Sequence, residues 1–112
     1  MTFRNETLLW MLQRASAAVL ALCVVVHLAT MIYAIRGGLS AAEILGRTRG
    51  NHGWLAFYSV FVLACAVHVP IGLRPVLAEW LAWRSGSRDI ALAAFAALLA
   101  AMGMRAVIGV FV

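Results

Sequence analysis

The sequence predicts an all-α membrane protein with three transmembrane helices. Hydrophobic residues make up 65% of the 112 residues and charged residues only 12%, about half the charged share usual in a soluble domain. Residues 15–35, 54–73 and 90–112 each supply the roughly 20 mostly apolar residues that cross a bilayer, and Arg105 is the one formal charge within them. In lipid the backbone must satisfy its own hydrogen bonds, which selects helices. The same composition excludes intrinsic disorder. Nine Arg against four acidic residues give a net charge of +5, but the Arg are spread between apolar runs and form no basic face, so nucleic acid is not an expected partner. The expected unit is a single domain over residues 1–112, embedded in lipid.

The first helix is expected over about 14–36, between Arg14 and Arg36. Its apolar run is too long for a cleaved signal peptide, and two more spans follow it. The glycine-rich loop 36–53 comes next, with Ser40 and Glu43 in capping-box spacing for a short helix. The second helix is expected over about 54–80. Residues 84–88, Arg-Ser-Gly-Ser-Arg, read as a loop, and the third helix is expected over about 88–112. There Ala93, Ala97 and Ala101 recur every four residues, a pattern that lets helices approach closely in lipid. Trp10, Trp80 and Trp83 suit membrane interfaces. Arg4, Arg14, Arg74, Arg84 and Arg88 fall on one side and Arg36, Arg47 and Arg49 on the other. That excess orients the N-terminus toward the cytoplasm, in an inner (cytoplasmic) membrane.

The chemistry is expected where lipid disfavours the residue. His27 lies inside the first helix and His68 inside the second, and an ionisable residue at such depth is a functional candidate. His52 sits in the polar loop and reads as solvated. Neutral imidazole is a good iron ligand, so b-type haem is the natural partner of a buried His. Gly72 lies one turn from His68 on the same face, where a missing side chain would let a flat macrocycle approach. Pro70 is expected to bend the helix locally. Arg74 can pair with a haem propionate. His27 lies thirteen residues beyond Arg14, about 20 Å along a helix, and His68 six residues before Arg74, about 9 Å. Two haems, each completed by a ligand from another chain, fit those depths better than one haem held by both His residues. Cys23 and Cys65 sit within apolar helices and read as small hydrophobes, not as a disulfide.

The segment Gln13-Arg-Ala-Ser-Ala17 resembles the His-Arg-x-Ser-Gly segment of the membrane anchor (cytochrome b) subunits of succinate dehydrogenase and fumarate reductase. The segment 68–74, His-Val-Pro-Ile-Gly-Leu-Arg, resembles their haem-ligand pattern His-x-x-x-Gly-x-Arg, and Glu79-Trp80 falls where that family often has Asp-Tyr. The resemblance implies a subunit without catalytic residues of its own. It would bundle with a second anchor subunit or a second copy and bind a flavoprotein subunit through an iron–sulfur subunit. It also implies haem b on His68 and His27, with Arg74 at a propionate, and a quinone site at the cytoplasmic end formed by Arg14, Ser16, Glu79 and Trp80. Gln13 stands in place of the family's frequent His, Ala17 in place of its Gly, and Trp10 where some members carry a quinone-site Ser. A haem-free structural or assembly subunit is one alternative. A small multidrug transporter is another, opposed by three spans and no acidic residue midway along the first.

Overall fold

The computed structural model describes residues 3–112, with side chains from Asn5 onward. The Arg4 side chain, counted above for orientation, lies outside the described residues. Four helices follow in order: α1 (Phe3–Gly37), α2 (Ala41–Thr48), α3 (His52–Leu81) and α4 (Gly86–Phe111). Three of them, α1, α3 and α4, are long and apolar enough to cross a membrane. The molecule extends 49 Å along its longest axis, enough to span a bilayer with its headgroup regions. The chain is therefore an all-α membrane protein.

α1 begins earlier than its apolar run. No helix breaker separates Phe3 from Gln13, and Glu6 in the first turn suits the positive end of the helix dipole. Ser40 caps α2, its hydroxyl accepting from the Glu43 N–H at 3.2 Å, which satisfies one orphan donor of the first turn. Asn51 caps α3 in the same way through Trp54 N–H. α3 runs through Pro70 and Pro75 as one helix, where each proline removes a hydrogen bond from the ladder. It ends at Ala82, whose φ of +52° is left-handed, a conformation usually given to Gly at this position. The expected loop 84–88 is shorter than its composition suggests, because Gly86, Ser87 and Arg88 already belong to the first turn of α4.

α3 is the element on which both α1 and α4 pack. α4 lies tightly against α3 at Gly103, where an added Cβ would lie 2.5 Å from Val62 Cγ1. Leu92 and Val107 are buried on this face of α4. The alanine stripe is not the face packed within this chain: Ala93, Ala97 and Ala101 are all exposed. Gly103, which has no side chain to hold α3 away, sets the rotation of α4, and the stripe lies on the outer side. At the far end, Thr48 Oγ1 donates to the Val110 carbonyl at 2.9 Å and Gly50 N–H to the Phe111 carbonyl at 2.9 Å. The end of α2 and the residues that follow it thus satisfy carbonyls that the end of a helix otherwise leaves unpaired. Apolar side chains such as Leu22, Val25 and Met102 are largely exposed, as a surface facing lipid or neighbouring subunits requires.

Candidate haem and quinone site

His68 projects from α3 toward the inner face of α1, with Nδ1 3.4 Å from Ser16 Oγ. The Ser16 hydroxyl lies 3.1 Å from the Gln13 carbonyl one turn earlier, to which it donates. Ser16 is 7% exposed. Beside it the Gln13 amide lies over Gly72, its Nε2 3.1 Å from where a Gly72 Cβ would stand. The notch that Gly72 opens on the His68 face is therefore filled by a side chain of α1. Gln13 Oε1 is buried with no hydrogen-bond partner, and it is the one such side-chain atom among the described residues.

His27 has a comparable arrangement with the helices exchanged. It projects from α1, its Nδ1 is 3.5 Å from the Tyr58 hydroxyl of α3, and its ring meets Tyr58 and Phe61 edge-on. Both imidazoles thus turn Nδ1 toward a hydroxyl on the neighbouring helix. The pairings also set the vertical spacing. Ser16 and His27 are eleven residues apart on α1, and Tyr58 and His68 ten apart on α3, which place the two His residues about 15 Å apart in depth. Metal–imidazole bonds are about 2 Å long, so one metal ion cannot take both.

Arg74 lies at the end of the molecule nearer His68. Its guanidinium donates to Glu6 of α1 at 3.1 Å and to Asp89 of α4 at 3.2 Å, and Arg88 reaches Asp89 at 3.1 Å. One cation from the central helix therefore ties both outer helices. A cavity of about 610 Å³ opens here, bordered by Glu6, Trp10, Gln13, Gly72, Arg74 and Arg84. Of the residues expected to hold quinone, Arg14 is exposed with its guanidinium 5.1 Å above the Trp10 ring. Glu79 is exposed and Trp80 is 82% exposed. Ser16 is buried against His68, so these four residues are not drawn into one contact group, and none of them borders the cavity. His52 is exposed with an edge contact to Phe111, and both cysteines are free.

The family model described as succinate dehydrogenase/fumarate reductase transmembrane subunit matches residues 1–105. The chain belongs to this family. No curated protein and no solved structure is detectably similar to it. As a succinate dehydrogenase/fumarate reductase transmembrane subunit, the chain is a membrane component that associates with other subunits of such a complex. In this family member the sequence pointed to His68, Arg74 and Ser16, whereas Glu6, Tyr58 and Asp89 emerged only in the structure. Their signal was faint: Glu6 and Asp89 are two of only four acids, each at an end of an apolar helix, where a carboxylate needs a cation.

Proposed function

We propose that this subunit anchors a succinate:quinone oxidoreductase, holds haem b through His68 and helps to form the quinone site that accepts or supplies electrons at the membrane. The observation that carries the proposal is His68, whose Nδ1 is engaged by Ser16 while Nε2 has no protein partner among the described residues. A metal-bound imidazole uses its two nitrogens in this way. Among the described residues no three His, Cys, Asp or Glu side chains converge. A bare ion would find no closed site, whereas haem would bring most of its iron's ligands with it and would need only one donor from this chain. Bound there, haem supplies one-electron chemistry. Arg74 offers a guanidinium to a propionate, which would replace Glu6, the more exposed of its two carboxylate partners. A further iron ligand would come from another anchor subunit or copy.

Quinone is assigned to the same end of the molecule, as is the docking of the iron–sulfur subunit with its flavoprotein. Arg14, Trp80 and the groups around the cavity offer donors to carbonyl oxygens, and the exposed Glu79 suits proton exchange with water. The Arg excess favours a cytoplasmic position for this end, with the subunit in an inner (cytoplasmic) membrane. A second haem on His27 is supported by the 15 Å depth difference. It requires Tyr58 to accept a hydrogen bond from His27 and not to donate one.

His68→Leu in the purified complex tests the proposal. The b-type absorption of the haem held by His68 should be lost while the subunit still inserts, and unchanged haem content would refute it. The quinone assignment is tested by Arg14→Leu and Glu79→Leu. Succinate oxidation with quinone should fall while activity with a soluble dye survives, and full activity with both acceptors would place quinone elsewhere.

A further inference from the structure

We infer that Ser16 is a positioning residue that sets the tautomer of His68, keeping the proton on Nδ1 and the lone pair on Nε2. The inference rests on the reading of His68 as a haem ligand. A serine hydroxyl has one hydrogen and two acceptor lone pairs. The Gln13 carbonyl, 3.1 Å away, can only accept, so it takes the hydrogen. Toward His68 Nδ1 at 3.4 Å, Ser16 then presents only a lone pair. That contact is attractive when Nδ1 bears hydrogen and repulsive when Nδ1 is bare. Neutral imidazole has a single ring N–H, so Nε2 is left free for a metal.

Tyr58 and His27 show the opposite arrangement. The phenol has no acceptor other than His27 Nδ1 among the described residues, and a phenol is a better donor to imidazole nitrogen than an acceptor from it. That pairing favours hydrogen on Nε2 of His27. The hydroxyl neighbours therefore distinguish two histidines that look alike in sequence: His68 is prepared to ligate, and His27 must change tautomer first. Ser16 is thereby committed to the histidine, and a quinone would have to draw its donors from other groups at this end.

The test uses the assembled complex with Ser16→Ala, and the equal-shaped pair Ser16→Thr and Ser16→Val in case the alanine variant does not assemble. Haem per complex, haem affinity and midpoint potential are measured. Outer-shell partners of ligating histidines typically change metal affinity by about 10- to 100-fold. Ser16→Ala and Ser16→Val should therefore lose at least about tenfold in haem affinity. Their remaining haem should have a raised midpoint potential, because a less electron-rich imidazole favours ferrous iron. Ser16→Thr, which keeps the hydroxyl, should restore both. Equal affinity and potential in the Thr and Val variants would overturn the inference, provided the wild type holds haem that His68→Leu removes. A wild-type complex without that haem would instead overturn the parent reading.

Discussion

Replacing Gly103 with Ala should separate α4 from α3. The new Cβ would stand 2.5 Å from Val62 Cγ1 and 3.0 Å from Cγ2. Carbon atoms rest about 3.5–4.0 Å apart, so about 1 Å must be found. Val62 has little freedom to turn away, because a β-branched residue within a helix has one strongly preferred rotamer. The helices must therefore move apart, and overpacking of this kind costs about 1–3 kcal/mol. Lipid does not compensate, because helix association in a bilayer depends on close packing, without a hydrophobic driving force. The assay is thermal dissociation of the detergent-purified complex, followed by size exclusion. Gly103→Ala should dissociate earlier, and Val62→Ala with Gly103→Ala should recover most of the loss, giving a coupling of at least about 1 kcal/mol. Gly109→Ala is the control, since nothing lies within 4 Å of its added Cβ. If Gly103→Ala matched the wild type, or the double variant were no better than the single, the α3–α4 register argued above would be wrong.

Arg74→Leu should destabilise the complex by roughly 1–2 kcal/mol, since Glu6 and Asp89 lose their shared cation. Arg74→Lys should recover part of this loss, because an ammonium lacks the planar fork that spans two carboxylates; thermal melts at low and high salt read both effects. Ala82→Gly should stabilise the chain by about 1 kcal/mol, because Ala82 holds φ +52°, which an L-residue adopts at a cost of roughly 1–2 kcal/mol; a raised dissociation temperature checks it. Thr48→Val should cost about 1 kcal/mol by leaving the Val110 carbonyl without its hydroxyl donor, seen as faster proteolysis near the α2–α3 connection. His27→Ala should halve the haem per complex if His27 ligates, and leave it unchanged if the Tyr58 hydroxyl donates to a bare His27 Nδ1.

The residues carried unequal amounts of information. Ser40 and Glu43 announced α2, because capping acts over three residues and is written locally. His68 and Gly72 could be placed on one helix face, because four residues make about one turn. The partner of His68 could not be read in the same way. Ser16 was visible as a polar residue in the family-like segment and suggested a quinone donor, yet its hydroxyl meets an imidazole fifty-two positions away. Gly72 suggested space for a macrocycle, and the space turned out to hold Gln13. The alanine spacing in α4 matched a packing rule, and those alanines face outward.

What the sequence alone determined is the class of protein and the depth of its polar groups. An apolar run of known length has one hydrogen-bonded solution in lipid, and a rise of 1.5 Å per residue converts position into depth. Tertiary structure decided the rotation of each helix about its axis and the helix beside it. Ser16 against His68, Tyr58 against His27, Arg74 between Glu6 and Asp89, and Val62 against Gly103 all follow from those choices. Rotation depends on shape matching between two apolar surfaces. In a helix apolar on nearly every side no strong amphipathic stripe marks which face turns inward, so only the packed pair of helices can select it.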